Sequence, residues 1–433
     1  MSSHFIAVSG FVCLFVLMLL RVPVGIAMGV VGIVGFGLIN DDFGSAMSLL
    51  AQSPIRTVAD VQFAVIPLFL LMGAFASTSG MSRELFRVSN AFVGHMKGGL
   101  GIATIGACGG FAAICGSSVA TAAAFSSVAY PEMQRYGYPK SFSTGVIAAG
   151  GSLGIMIPPS TVLAVYGLIA DQDIGKLFIA GILPGLLAVV MYVLTINVIA
   201  LVRPNFLPTG TRHSWTERWA ALRDVWAVAV LFVFIIGGLY GGLFTATEAG
   251  GMGAAGAFII AVLRRRLNRV QFMSCLVESL RTTAAIFTIL IGAILFGYFL
   301  AITQTPQALT EWLMGLGLGK YGVLAMIMLM YLLLGSVMDA MAMILLTVPI
   351  VFPIIMQLGF DPIWFGIIVV MAVELGMIHP PVGMNVFVIK SVVRDVNLST
   401  IFKGVAPFVV TDILRLVILI AFPVIATFLP SRM

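Results

Sequence analysis

Two stretches of the chain follow one plan. The first opens with GSSVATAA (Gly116 to Ala123), passes Pro131, Gly137 and Tyr138, and closes with GIMIPPS (Gly154 to Ser160). The second opens with GSVMDAMA (Gly335 to Ala342), passes Pro353, Gly359 and Phe360, and closes with GMIHPPVGMN (Gly376 to Asn385). Pro131, Gly137, Gly154, Pro158 and Pro159 map onto Pro353, Gly359, Gly376, Pro380 and Pro381 with a constant offset of 222, and the Gly-Ser pairs depart from it by three residues. A helix does not run undisturbed through either landmark. The Gly-Ser turn ends it, and a proline pair removes two backbone donors and frees carbonyls about a turn back. Each copy therefore places a turn inside one apolar run and a break inside another. Paired interruptions of this kind are the sequence signature of a transporter built from two repeats around a central site.

Composition sets the solvent. Hydrophobic residues make up 60% of the 433 and charged residues 9%, against about 25% charged in soluble domains, and the mean hydropathy is +1.12. Spans of about 20 residues would give roughly a dozen helical segments, two of them folded into re-entrant hairpins. The expected fold is an all-α polytopic membrane protein lying in the lipid bilayer. The formal charge of +6 does not indicate a nucleic-acid partner, because in a membrane protein the location of the basic residues says more than their sum. Cys13, Cys108, Cys115 and Cys275 lie in or beside apolar runs without metal-ligand spacing and read as small buried hydrophobes. The N-terminus has no Lys or Arg before its first apolar run and reads as a retained helix rather than a signal peptide.

Taken in order, apolar runs at 5–20 and 24–39 are separated by Arg21-Val22-Pro23, and 61–75 is the next span. Met81 to Lys97 intersperses Arg83, Arg87, His95 and Lys97 with apolar residues, as a helix lying in the interface does. The first hairpin is expected over 98–128 and the first broken crossing over 141–169. A span at 177–202 precedes a polar linker at 203–223, then come runs at 225–240, 249–263 and 283–302 and a polar loop to Lys320. The second hairpin (321–356), the second broken crossing (363–393) and a final span (408–428) complete the chain. With the N-terminus outside and each hairpin returning to its own side, about 18 of the 23 basic residues fall inside, among them the arginines at 264–269. That bias makes the two copies opposite in orientation, an inverted repeat.

A hairpin tip near mid-membrane exposes helix ends, carbonyls and hydroxyls together. These are hard oxygen ligands for an alkali cation, and the opposite helix dipoles suit a carboxylate. In copy one the cation donors are expected at Gly116, Ser117, Ser118 and Thr121, facing Gly151 and Pro158, with Ser152 and Ser160 toward the substrate. In copy two they are Gly335, Ser336 and Asp339, facing Ile378 and Gly383, with His379, Pro380 and Asn385 toward the substrate. Read alone, small residues here serve close helix packing and the prolines are kinks. Asp339 stands out, because an ionised carboxylate at the bilayer centre costs at least about 2.5 kcal/mol and needs a partner, though it also has the placement of an N-cap. Thr245 and Glu248 have capping-box spacing. Glu374, Asp412 and Arg415 carry no assigned role, although Asp412 and Arg415 are three apart and can share a helix face. No HExxH, GxSxG or paired-acid pattern supports an enzyme.

The RVPVG opening at Arg21, IPLFLLMGAFASTSG, GSSVAT with YPEMQRYGY, IMIPPS, AGILPGLL, GLFTATEAG and the GSVMDAMA to HPPVGMNVFV block together resemble the large membrane subunit (M subunit, DctM type) of tripartite ATP-independent periplasmic (TRAP) transporters. The resemblance spans nearly the whole chain. It implies an elevator-type secondary transporter of the bacterial inner membrane, related in fold to divalent-anion/sodium symporters. It further implies import of an organic acid such as a C4-dicarboxylate or sialic acid on a sodium gradient. Substrate would arrive from a soluble periplasmic binding protein, and a small four-helix Q subunit (DctQ type), expected as a separate chain, would brace the scaffold. Sodium sites would form between each hairpin tip and its broken helix, at the positions named above. His379 stands where a small polar residue is expected in relatives, so backbone carbonyls there are the better ligands.

On this reading residues 1–97, 171–224, 225–319 and 395–433 form a scaffold, while 98–170 and 320–394 are the halves of a mobile transport domain. Two rivals remain at this stage: a stand-alone anion/sodium symporter needing no binding protein, and a membrane enzyme or assembly scaffold with degenerate ion sites.

Overall fold

A computed structural model describes residues 3–433, with side chains from Phe5 onward. Helices carry the whole architecture, and the sole pairing of β type among the described residues is an isolated bridge between Lys97 and Thr209. The first repeat begins with α1 (Ser3–Leu19), α2 (Val24–Asn40) and α3 (Phe43–Ala59), then α4 (Val65–Thr78) entered through a 3-10 turn, and α5 (Met81–Val93). Hairpin 1 is α6 (Gly99–Cys115) and α7 (Ser118–Arg135). The first broken crossing is α8 (Lys140–Met156) and α9 (Thr161–Ile169), bent by 41°, and α10 (Ile174–Val202) follows. The second repeat runs α11 (Trp215–Asp224), α12 (Trp226–Tyr240), α13 (Ala246–Leu263), α14 (Arg269–Ile302) and α15 (Thr305–Gly315). Hairpin 2 is α16 (Gly319–Gly335) and α17 (Ala340–Gln357), the second broken crossing is α18 (Pro362–Ile378) and α19 (Met384–Val392), and α20 (Leu398–Ala421) and the short α21 (Val424–Thr427) close the chain. Among the described residues, six helices are individually long and apolar enough to cross a membrane, or up to eight if each bent pair is one span.

The order and position of hairpins and breaks match the duplicated sequence. Four helical segments depart from the sequence expectation. Helix α3 carries only Ala46, Ser53 and Thr57 to the interior, so its apolar signal is weak, and it holds Pro54 within it. Helix α11 lies inside the expected linker, started by a capping box in which Ser214 and Glu217 satisfy each other's backbone N–H. Helix α14 begins at Arg269, not near Thr283, behind a second box made by Asn268 and Gln271. Helix α15 occupies the expected polar loop and buries Pro306, Thr310 and Leu313, one helical stripe.

Glycine sets how closely the layers approach. A methyl group on Gly292 would lie 2.0 Å from the Gly25 carbonyl oxygen, so α2 and α14 meet backbone to backbone. Similarly, a methyl on Gly145 would lie 2.2 Å from the Gly404 oxygen, which joins α8 to α20. Helices α2, α4, α13 and α14 pack chiefly on one another. Hairpins and broken crossings form the other mass, and α10 and α20 pack on α8 and α18 within it.

Candidate functional site

At tip 1, α6 ends on Gly116 in the left-handed conformation (φ 62°) and Ser117 caps α7, its Oγ accepting from Ala120 N at 3.3 Å. Glycine is required at 116 for a second reason: a Cβ there would sit 2.7 Å from the Pro159 carbonyl oxygen. The tip thus abuts the break of its own repeat. Thr161 Oγ1 donates to the Gly116 oxygen at 2.9 Å across the same gap. Thr121 Oγ1 donates to the Ser117 oxygen at 2.7 Å, and a methyl on Gly154 would fall 2.5 Å from that oxygen. Gly151 faces Ala122 of α7. Ser118 Oγ donates to Met377 Sδ at 3.3 Å, which ties tip 1 to the broken crossing of the other repeat. The side chains of two neighbours make other contacts. Pro158 lies against Gly181 of α10, and the buried Ser152 hydroxyl donates to the Ala149 oxygen and lies 3.3 Å from Tyr192 Oη. Ser160, also fully buried, donates to the Ile155 oxygen and accepts from Leu163 N, so one carbonyl freed by the proline pair finds its partner in a hydroxyl of the chain.

At tip 2, Asp339 caps α17, its Oδ1 accepting from Met341 N at 2.9 Å and Ala342 N at 3.1 Å. None of the described residues donates to Oδ2. The capping role weighed in the sequence is therefore real, and one oxygen is left over. Gly335 and Gly376 touch backbone to backbone, a methyl on Gly376 falling 2.6 Å from Gly335 Cα, and Val382 N donates to the Ser336 oxygen at 3.2 Å. Gly383 (φ 60°) turns back over Ile378 and His379, so closely that a methyl added at 383 would lie 3.1 Å from the His379 carbonyl oxygen. His379 Nδ1 contacts the Pro380 oxygen at 2.5 Å, and Pro380 is exposed. Asn385 differs from all of these. Its side chain is fully buried in the first turn of α19, and neither Nδ2 nor Oδ1 has a hydrogen-bond partner. Leaving such a group unpaired costs roughly 1–3 kcal/mol; it shares this state with Glu374 Oε1 and with Arg415 Nε and Nη1, and its amide is available to a ligand or a water.

The donor set fits an alkali cation. The polar groups at the tips are main-chain oxygens, hydroxyls and one carboxylate, and no group of three or more His, Cys, Asp or Glu able to hold a metal occurs among the described residues. Hard oxygen donors of this kind suit a hard cation and offer nothing to a thiolate- or imidazole-seeking metal.

A second polar cluster lies behind the tips, and sequence reasoning found only part of it. Arg415 pairs with Asp412 at 3.1 Å, as their spacing allows, and also with Glu374 of α18. Tyr192 Oη of α10 donates to both Asp412 oxygens at 2.8 and 2.7 Å, and Ser152 of α8 meets Tyr192. All three ionisable groups are 0% exposed. Tyr192 and Glu374 stand 220 and 41 residues from their α20 partners, far outside any local pattern, so only folding brings them together.

A duplicated pair of hairpins and broken helices in an all-helical, strongly apolar chain defines a multi-pass membrane permease. Residues 11–425 match the model of the family described as the tripartite ATP-independent periplasmic transporter, DctM component. The chain belongs to that family, and is a multi-pass protein of the bacterial inner membrane rather than an enzyme. It is 40% identical to the C4-dicarboxylate TRAP transporter large permease protein DctM of Pseudomonas aeruginosa, covering 89% of this chain and 91% of that protein. It is 35% identical to the isethionate TRAP transporter permease protein DctMQ of Oleidesulfovibrio alaskensis, covering 97% of this chain and 65% of that longer protein. Among solved structures, the YdaH transporter of Alcanivorax borkumensis shares the fold at TM-score 0.60 with 16% identity, over 88% of this chain and 90% of that one.

Proposed function

We propose that this chain is the membrane-spanning permease of a sodium-coupled importer of a small organic acid anion. The observation that carries the reading is Asn385, a buried amide offering one donor pair and one acceptor to a ligand that the protein itself does not provide. It follows the Gly383 turn at the start of α19, and Val382 just before that turn donates to the Ser336 carbonyl of tip 2. Gly116, Ser117, Ser118 and Thr121, with Gly151 and Pro158 on the facing crossing, would hold the cation of tip 1. Gly335, Ser336, Asp339, Ile378 and Gly383 would hold that of tip 2. Bound there, the cation supplies positive charge beside an anion in a region that otherwise disfavours charge. His379, Pro380 and Asn385 would face the substrate, with Ser160 and Ser152 shaping the wall behind. The names of the two relatives, one for a C4-dicarboxylate and one for isethionate, support an organic anion. A small membrane subunit and a periplasmic binding protein complete the proposed machine, supported by the tripartite family description and the fused DctMQ relative.

The mobile unit we propose comprises both hairpins and both broken crossings, moving as an elevator against the scaffold. Its boundary differs from the sequence expectation at α10 and α20. The Glu374–Arg415–Asp412–Tyr192 cluster would be opened if those helices stayed behind, and separating buried charges is strongly unfavourable. Both helices therefore travel with the mobile unit in this reading.

The test is uptake into proteoliposomes holding the large and small membrane chains, with binding protein outside and an imposed Na⁺ gradient, across a panel of dicarboxylate, sulfonate, sialic acid and neutral or zwitterionic solutes. Uptake of an anion that collapses when K⁺ replaces Na⁺ is expected. Equal uptake in K⁺ would remove sodium coupling, and uptake without the binding protein would favour a stand-alone symporter.

A further inference from the structure

The face that the topology places in the cytoplasm carries a surface unrelated to the transport site. Between the spans α10 and α12, helix α11 lies bent by 50° from α12. Trp215, Trp219 and Leu222 are at i, i+4 and i+7 on one face of it, and Trp226 continues the line where the chain turns into α12. These four side chains are 45% to 67% exposed. Three of the chain's five tryptophans thus lie in one outward stripe. The edge of α11 beside the stripe is fixed to α5: Arg218 Nε donates to the Ala91 oxygen at 3.0 Å while its guanidinium lies 4.9 Å from the Trp215 ring.

Charge beside the stripe is uneven. The acids nearest to it are already engaged: Asp224 with Arg87 at 3.0 Å, Glu84 with Arg264, and Glu217 in the Ser214 capping box. Arg83, Arg223, Arg265 and Arg266 are exposed, and no carboxylate among the described residues is paired with any of them. Glu278, one turn past Cys275 on α14, is the nearest exposed acid along that helix without an ion-pair partner among the described residues. Arg264 Nη2 donates to the Asp224 oxygen at 3.0 Å, which seats this arginine run at the C-terminal end of α11. An apolar, tryptophan-rich stripe next to unpaired guanidinium groups matches the boundary between acyl chains and phosphate head groups.

We propose that α11 and the arginines beside it form a docking surface for anionic phospholipid of the cytoplasmic leaflet. Trp215, Trp219 and Trp226 enter the head-group boundary, and Arg223, Arg265 and Arg266 hold phosphate. A lipid contact there anchors α5 and α11 together at the level of the bilayer surface. The proposal stands independently of the ion and substrate reading.

The experiment uses the purified full-length chain carrying Trp312→Phe, in phosphatidylcholine nanodiscs. Either brominated phosphatidylglycerol or brominated phosphatidylcholine is introduced at equal mole fractions, and tryptophan quenching is read. Trp364, fully buried and donating to the Leu419 oxygen, supplies an unquenched background. Phosphatidylglycerol should quench with an apparent affinity about fivefold higher, the order expected for one arginine at an anionic surface. Arg223→Gln/Arg265→Gln/Arg266→Gln should bring the two lipids to parity. Raising choline chloride should do the same to the unsubstituted surface, a check that survives poor folding of the variant. Parity at low salt, or a preference indifferent to both salt and the substitutions, overturns the proposal. Absence of quenching by either lipid while the small membrane subunit is co-purified, restored when it is stripped, would mark the stripe as a protein interface instead.

Discussion

Asp339 and Arg415 illustrate two ways of keeping charge inside a bilayer. Asp339 spends one oxygen on the first turn of α17 and keeps the other uncommitted. Asparagine caps a helix as well as aspartate, whereas alanine loses about 1 kcal/mol. Asp339→Asn should therefore retain the thermal stability of the parent yet lose Na⁺-dependent uptake, while Asp339→Ala loses both. Normal uptake by Asp339→Asn would reduce the residue to a cap. Arg415 sits between two carboxylates with no solvent to relieve them. Arg415→Met leaves buried acids unpaired and should lower stability by about 3–5 kcal/mol. Replacing Glu374, Asp412 and Arg415 together with apolar residues should recover much of that loss, measured by unfolding in one detergent. A single substitution costing under about 1 kcal/mol would show that the cluster holds nothing together.

Between elements, close approach and charge pairing do different work. Where α16 meets α18, Gly335 and Gly376 leave no room for a side chain, so Gly376→Ala must displace hairpin 2 from the break. Overpacking of this kind costs about 1–3 kcal/mol. Because the displaced groups include the Ser336 to Val382 contact, sodium-induced stabilisation should fall more than basal stability, as thermal scans with and without Na⁺ would show. Outside the membrane, Asp395 in the α19–α20 loop accepts from Lys140 at the start of α8 at 2.6 Å and from Tyr130 at 3.1 Å. The Lys140 hydrogen bond leads the causes that hold its carboxyl below the usual 3.8. With the folded value below the unfolded one, this stabilisation is complete above the unfolded value and is lost as pH falls through the folded value. The stability gap between parent and Asp395→Asn should thus be constant near neutrality and close below about pH 4. Since both partners are half exposed, added salt should shrink it too. A gap unchanged down to about pH 3 would remove Asp395 as its source.

For the whole molecule, ligand binding to the folded state alone raises stability by about RT ln(1 + [L]/Kd), roughly 2.7 kcal/mol at 100-fold saturation. A saturable rise in unfolding temperature with Na⁺, absent with K⁺ or choline at equal ionic strength, is expected of the purified chain. It should weaken in Asp339→Asn and persist in the α11 arginine variant, which separates the two sites. A flat response from a demonstrably folded protein would point to protons as the coupling ion or to a site completed only by the small subunit. Cysteines placed across α20 and α18 should cross-link without loss of uptake if those helices move as one body, whereas cross-links from α10 to α4 should arrest it.

What the sequence determined by itself is the plan: a membrane solvent, two hairpins and two broken crossings. Those features are legible because they rest on local breaks in long apolar runs and on a repeat that compares the chain with itself. Gly116, Ser117, Gly335 and Asp339 are found at tips because glycine ends a helix, and serine or aspartate begins one, where a long apolar run is broken. The capping boxes at Ser214 and Asn268 were equally local, and the polar character of their surroundings hid them. Tertiary structure decided everything that joins distant residues. It set Ser152 beside Tyr192, bound Glu374 to Arg415, seated α10 and α20 against the broken crossings and left Asn385 without a partner. No local pattern encodes these, because whether a buried polar group is satisfied depends on which helix faces it, and that is fixed only when the backbones close at contacts such as Gly335–Gly376 and Gly145–Gly404.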